Sequence, residues 1–239
     1  MPKSGDPKNR KNEPSKRDVI KARVQNESRK QQIIPLIIIS LAAVALVAIF
    51  VLPALFPNTI GSRPQANGTF AGDPNAPVKV EEFADFQCPA CGVFNTDSRY
   101  EPKIVKDYIA TGKVYFKFIP FSFIGPESNA AAEAAYCASD QGKFWEYHDA
   151  IFADQHGENQ GWLSSARLLG YASTLKLNTT DFKTCYESGK YKKQVLDDME
   201  YGKKNNINST PSFLVNGQLV QLEQLIPVIE SALKAKGVK

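Results

Sequence analysis

Phe83-Ala84-Asp85-Phe86-Gln87-Cys88-Pro89-Ala90-Cys91 is the stretch whose reading decides the fold. An apolar run, Val78 to Phe83, leads into a short polar step, and two cysteines follow three positions apart. With Cys88 at a helix N-cap, Pro89 falls at N1, where its missing N–H is not needed and its fixed φ suits the first turn. Free backbone N–H groups and the positive end of the helix dipole then point at the Cys88 sulfur. They favour thiolate over thiol and bring the Cys88 pKa below the free value of roughly 8.5. Cys91, one turn further in, is placed to attack a mixed disulfide formed at Cys88. Strand, CxxC and helix in that order supply an attacking and a resolving sulfur. Two rival readings are weaker. A zinc site needs about four ligands, and Cys137 and Cys185 are distant and singly placed. A structural bridge within CxxC closes too short a loop to stabilise a fold much.

Outward from the motif, Val78 to Phe83 reads as a strand, and the following helix runs to about Ala110, kinked at Pro102, with Thr111-Gly112 as its stop. Val114 to Ile119 is a second strand, ended by Pro120. Strand, helix and strand make a βαβ unit, so these two strands are expected to be parallel. A helical block follows. Ser128 is the candidate N-cap of an alanine-dense helix, and Phe144, His148, Ile151 and Phe152 share one helical face, with His148 read as a packed core histidine. Further helical stretches are expected over Ser164 to Leu175 and Thr180 to Asn205. Pro211 to Val220 is a hairpin around Asn216-Gly217, and a helix over about Leu222 to Lys236 closes the chain. The order β–α–β, helical block, β–β, α predicts an α/β domain with a mixed parallel and antiparallel sheet flanked by helices.

Charge and hydropathy divide the rest. Residues Ile33 to Leu52 carry no charge and are dominated by Ile, Leu, Val and Ala. About twenty such residues span about 30 Å as a helix, the thickness of a bilayer core. The run exceeds a usual signal-peptide core, and Pro53 to Pro57 offers no clear cleavage site, so 33–52 reads as a transmembrane signal anchor. Residues 1–32 hold ten basic and four acidic side chains, net +6, which leaves −2 of the chain's +4 for the remainder. The basic tail is expected to stay in the cytoplasm while the C-terminal part crosses. The basic balance is therefore a topology signal, not a nucleic-acid signal, although an arm binding RNA or anionic headgroups is the alternative for 1–32. Residues 53–75, rich in Pro, Gly, Asn and Ser, read as a flexible linker, and 76–239 as the folded domain. Outside the cytoplasm four cysteines meet an oxidising compartment, and the even count fits two pairs.

These residues resemble the thioredoxin superfamily, and more closely the DsbA-like thiol-disulfide oxidoreductases with a helical insertion. The resemblance covers about residues 70–236. It rests on Phe83 to Cys91 after a strand, on Gln141-Gly142-Lys143-Phe144-Trp145, and on Ser209-Thr210-Pro211-Ser212-Phe213-Leu214-Val215-Asn216-Gly217 before the hairpin. It implies a thioredoxin fold with an insertion at about 126–205 and thiol oxidation outside the cytoplasm. Its implied partners are exported proteins with free cysteines and a membrane quinone reductase, DsbB-like or VKOR-like, as re-oxidant. The redox group is the Cys88–Cys91 disulfide itself, with no further cofactor and no metal. Pro211 matches the family's cis-proline and Thr210 the residue beside the sulfurs, whose backbone pairs with an extended substrate. The residues alone would favour a trans bond there. Glu82 matches a buried acid that handles the proton of the resolving cysteine; since Glu81 and Glu82 are adjacent, strand alternation turns at most one inward. Ala90 stands where a polar residue or histidine is common, which predicts a weaker thiolate and a less oxidising couple.

Cys137 and Cys185 flank the helical block and are expected to form a structural disulfide; two buried free thiols or a second redox pair are the alternatives. The function expected is therefore that of a membrane-anchored, single-pass, exported oxidoreductase that donates its disulfide to folding proteins. A membrane-fed reductase or isomerase, and a chaperone or assembly factor with an incidental dithiol, are the rivals. An apolar surface around Phe121, Phe123 and Pro211 would suit either catalysis or chaperoning.

Overall fold

Val78–Ala84 (β2) and Val114–Pro120 (β3) form the centre of the sheet, and their β-branched and aromatic residues suit a surface buried on both sides. The computed structural model describes residues 63–238. β2 and β3 pair in parallel, with Val80 opposite Phe116 and Glu82 opposite Phe118. Phe70–Ala71 (β1) lies antiparallel on the outer side of β3. Ser212–Val215 (β4) lies antiparallel on the other side of β2, and Gln218–Val220 (β5) returns along it, giving the order β1-β3-β2-β4-β5. The β4–β5 hairpin turns through Asn216 and Gly217, both at positive φ, as a two-residue primed turn requires.

Between β2 and β3 runs Pro89–Thr96 (α1), then the short Glu101–Ile104 (α2), which continues as a wider turn over Val105–Ile109. The expected single helix is thus broken at Asp97 to Tyr100, not kinked at Pro102. The reason is steric: in a continuous helix the Pro102 ring would clash with the Ser98 carbonyl, so Pro102 opens a new helix instead. The insertion between β3 and β4 holds Pro126–Ser139 (α3), Phe144–Ala153 (α4), Ser165–Thr174 (α5), Thr179–Glu187 (α6) and Lys192–Lys204 (α7). Gly189, at φ +64°, separates the last two. Leu225–Ala235 (α8) closes the domain. Ser128 is not an N-cap: α3 starts two residues earlier, after Gly125, with Pro126 in the first position, and the Ser128 hydroxyl is used elsewhere.

The strands divide two apolar layers. Val78, Val80 and Ala84 join the main core, with Phe116, Phe118, Trp145 and Phe152, while Phe83 on the opposite face packs with Ile119, Phe121, Ile207 and Leu214. His148 is fully buried among Phe86, Phe118, Trp145 and Phe152, as its helical face implied.

The expected linker 53–75 is corrected at its C-terminal end. From residue 63 the chain is part of the fold: Trp145 donates to the Phe70 carbonyl at 3.1 Å, Phe118 to Thr69, and Arg63 is buried in ion pairs with Glu101 and Asp149. The Arg63 guanidinium also lies 4.9 Å from the Trp145 ring centre. Pro and Gly serve here as tight turns, not as flexible spacers. Residues 1–32, the expected membrane helix 33–52 and the linker residues 53–62 lie outside the described residues. Among the described residues no helix is long and apolar enough to cross a membrane.

Cys137 of α3 and Cys185 of α6 are joined by a disulfide, with a Cα–Cα distance of 5.8 Å and a sequence separation of 48. Closing a loop of that length removes chain entropy from the unfolded state worth about 4 kcal/mol at most. Replacing both cysteines by serine should therefore lower the urea midpoint by an amount corresponding to about 2–4 kcal/mol, with the chemistry at Cys88 retained. A midpoint unchanged between the two proteins would show that the bridge does not stabilise the insertion.

Candidate active site

Cys88 ends the polar step after β2 in an extended conformation, φ −69° and ψ 119°, and is the N-cap of α1 with Pro89 at N1. The backbone N–H groups of Ala90 and Cys91 are aimed at its sulfur, and Cys88 is 7% exposed. The Cys91 thiol donates to that sulfur and is the largest influence on it; the Thr210 hydroxyl and the two backbone donors add to this, against the opposing effect of burial. Together they bring the Cys88 thiol down to about 6. Cys91 is fully buried, and burial, then the neighbouring Cys88 and Glu82, push its thiol well above the ordinary range. One sulfur is thus a ready thiolate and the other holds its proton.

The Thr210–Pro211 peptide bond is cis, and it presents the Thr210 carbonyl to Cys88. The protonated Cys88 thiol donates to that carbonyl at 3.3 Å. The Thr210 hydroxyl is buried with no hydrogen-bond partner of its own, so it is free to turn toward the thiolate. The expected apolar surface is narrower than the sequence implied. Phe121 and Pro211 are buried, because Phe121 packs against Gly202 of α7, where a Cβ would lie 2.5 Å from its ring; Phe123 (48% exposed) and Val93 (50%) present the apolar surface.

Glu82 points inward on the face of β2 shared with Val80, and is fully buried. Its neighbour Glu81 turns the other way and accepts from the Tyr201 hydroxyl at 3.0 Å. Asn95 on α1 connects Glu82 to the motif, donating to the Cys91 carbonyl at 2.9 Å and to Glu82 Oε1 at 3.4 Å. Burial first, and the charge of Glu101 second, raise the Glu82 carboxyl well above the usual range. Its carboxyl therefore holds a proton to higher pH than an exposed glutamate does.

A second set of polar residues holds the loop in place, and most of them carry no signal in the sequence. Asp85 accepts from the Gln87 N–H at 2.9 Å, from the Ser128 hydroxyl at 2.6 Å and from the Ile124 N–H at 3.0 Å. Gln155 reaches in from the loop after α4 and donates to the carbonyls of Phe86 (2.8 Å) and Cys88 (3.1 Å). Gly92 leaves room for it: a Cβ at that position would sit 2.1 Å from Gln155 Oε1. Asp85 and Gln87 were conspicuous only as polar residues inside the quoted motif. Gln155, Asn95, Arg63 and Glu101 carry no local pattern, since what recruits them is proximity in space.

A thiol of lowered pKa at a helix N-cap, paired with a fully buried one beside a cis-proline loop on a βαβ scaffold, suits thiol-disulfide exchange, and the chain is a thiol-disulfide oxidoreductase of DsbA-like type. The chain belongs to the thioredoxin family, whose sequence profile, described as Thioredoxin, matches residues 65–235. It is similar to Disulfide bond formation protein D of Bacillus subtilis (strain 168), at 33% identity over 187 residues, covering 75% of this chain and 83% of that one. The crystal structure of oxidised BdbD from Bacillus subtilis superposes with a TM-score of 0.65 at 32% identity, over 73% of this chain and 98% of that one. DsbA of Chlamydia trachomatis shares the fold, with a TM-score of 0.63 at 23% identity over 75% and 97% of the two chains.

The Cys88 assignment has a direct check. In the reduced protein, thiolate absorbance should rise with a midpoint near pH 6. A thiol whose folded value lies below its unfolded value stabilises the folded reduced protein above the unfolded value, and that stability is lost as pH falls through the folded value. Reduced protein should accordingly lose stability relative to the oxidised form as pH falls from roughly 8.5, the free thiol value, to about 6, with no further loss from this group below that. A midpoint of 8 or higher would remove the electrostatic account of the site.

Proposed function

We propose that this oxidoreductase acts outside the cytoplasm, anchored through residues 33–52 with its N-terminus inside, and donates the Cys88–Cys91 disulfide to exported proteins that carry free cysteines. No dissociable cofactor takes part, because the two sulfurs hold the electron pair. The observation that carries this reading is the contrast between the two sulfurs: Cys88 at the N-cap of α1 beside the Thr210 carbonyl, and Cys91 fully buried one turn further in.

A substrate thiolate attacks Cys88 Sγ, the Cys88–Cys91 bond breaks, and a mixed disulfide forms at Cys88. The electron pair of the broken bond leaves on the Cys91 sulfur, which takes a proton from the Glu82 carboxyl. A second substrate thiolate then attacks the substrate sulfur of the mixed disulfide. The substrate leaves oxidised and Cys88 leaves as the thiolate that its surroundings favour. Two electrons have moved from the substrate to the dithiol. A membrane quinone reductase of DsbB-like or VKOR-like type takes them away and restores the disulfide. Extended substrate lies against Thr210 and Pro211, whose backbone faces the sulfur.

Magnitudes decide how oxidising the couple must be. A Cys88 value near 6 lies between those of thioredoxin (about 7) and the strongest oxidants (about 3.5), and Ala90 supplies no ring donor to lower it further. The couple is therefore expected to be more oxidising than that of thioredoxin and less oxidising than those of the strongest oxidants. The lack of a ring donor at Ala90 is also what a membrane-fed reductase would show, which makes that the second reading.

Equilibration of the Cys88–Cys91 couple with glutathione separates the two. A potential less negative than about −230 mV supports donation, whereas one near −270 mV, the thioredoxin value, transfers the assignment to a reductase. Cys88→Ser should reduce oxidation of a model dithiol peptide to the uncatalysed rate, and Cys91→Ser should accumulate mixed disulfides at Cys88. Full activity in Cys88→Ser would overturn the proposal.

A further inference from the structure

Gly92 stands in the interior of α1 with no backbone reason to be glycine: it is helical and outside the left-handed region. Alanine there would favour the helix. The reason lies in a neighbour. A Cβ at Gly92 would sit 2.1 Å from Oε1, 2.8 Å from Cδ and 3.2 Å from Nε2 of Gln155, so the amide of Gln155 rests on the bare side of α1. From there its Nε2 donates to the Phe86 carbonyl at 2.8 Å and to the Cys88 carbonyl at 3.1 Å, while the Gly92 N–H also reaches the Cys88 carbonyl, at 3.1 Å.

Gln155 is itself held on both sides. Asp154 accepts from Arg167 at 2.6 Å and from the Tyr171 hydroxyl at 2.6 Å, both on α5. Further along the same loop, the Asn159 N–H donates to Gln87 Oε1 at 2.6 Å. The loop is thus tied to α5 at one end and to the motif at the other. Phe86 is 1% exposed, so its carbonyl has little access to water and needs a protein donor, which Gln155 supplies. The two carbonyls belong to the peptide planes before Gln87 and after Cys88. One amide that binds both fixes the backbone across those two residues.

We propose that Gln155 is a positioning residue for disulfide exchange: by holding the Phe86 and Cys88 carbonyls it keeps the Cys88 sulfur against the first N–H groups of α1, and Gly92 is glycine to admit it. The inference rests on Cys88 being the exchanging sulfur and is indifferent to the direction of electron flow. Cys88 Sγ is attacked by a substrate thiolate and later departs from the mixed disulfide as a thiolate. Its position relative to the Ala90 and Cys91 N–H groups decides how well the charge on the departing sulfur is met. Gln155 touches neither sulfur in the hydrogen-bond network and acts through the backbone of Cys88.

The experiment is a pH titration of thiolate absorbance in the reduced full chain, with equilibration against glutathione at alkaline pH in parallel. Gln155→Met keeps the length of the side chain and removes the donor. It should move the midpoint to higher pH by about half a unit or more, a threefold loss of acidity. The glutathione equilibrium should shift threefold toward the oxidised protein, about 14 mV at 29.6 mV per tenfold. Gly92→Ala should do the same, because its Cβ displaces the amide. Combining the two should add nothing, since the Cβ then has no amide to displace. Lower thermal stability with an unchanged midpoint in both variants would make Gln155 a structural brace only and overturn the proposal. Additive shifts in the double variant would overturn the pairing of Gly92 with Gln155. If Gln155→Met does not fold, Gly92→Ala decides alone. Cys88→Ser separates the two readings: a transition that persists in it would overturn the role of Cys88, and this inference with it.

Discussion

The free N-terminus of α1, closed on the sulfur of Cys88, is the contact on which the rest of the molecule depends. A helix of eight residues has only a small dipole effect at its end, typically about 0.3–1 kcal/mol when exposed. Here it acts at a sulfur that is 7% exposed, where water competes poorly, and it adds to the larger effect of the Cys91 thiol and to that of the Thr210 hydroxyl. The parallel pairing of β2 with β3 brings the chain to this point, and Pro89 starts the helix there without wasting a donor. Gln155, from the insertion, fixes the two carbonyls that flank the turn. The insertion is therefore part of the machinery that shapes the dithiol, and not only a cover over the sheet.

The two cysteines differ because their surroundings differ, although only Pro89 and Ala90 separate them. Cys88 meets donors, while Cys91 meets an apolar core and a buried acid. This contrast gives exchange a direction in space: chemistry opens at the outer sulfur and the inner one receives the electron pair. Burying Glu82, Glu101, Arg63 and Asp149 together stabilises the fold little, since the desolvation of such a group offsets much of its mutual attraction.

Much of this was legible in the chain. Cys88, Pro89 and Cys91 after an apolar run located the reactive turn, the βαβ order fixed the parallel pair, and Asn216-Gly217 located the hairpin. Alternation along β2 was enough to send either Glu81 or Glu82 inward. Local pattern failed where a role is set by distant neighbours. Ser128 has the chemistry of an N-cap, yet its hydroxyl is drawn to Asp85, 43 residues away. β1 has two residues, too few for any periodicity, and it lies in a stretch whose Pro and Gly content imitates a tether. Arg63 was unreadable for the same reason: a lone arginine in a polar run shows nothing of the carboxyls 38 and 86 positions later that bury it.

The position of Arg63 bears on how the protein can be taken apart. Composition invites a cut near residue 75, where Pro, Gly and Asn give way to the first long strand. A fragment trimmed there would lose β1, and with it the acceptor that Trp145 uses at the Phe70 carbonyl. It would also lose the sole guanidinium that Glu101 and Asp149 share, leaving two acids facing an empty place in the interior. Such a fragment could still hold both sulfurs and still react, yet its acid–base behaviour would belong to the trimming and not to the protein. Dissection of this chain has to begin upstream of residue 63.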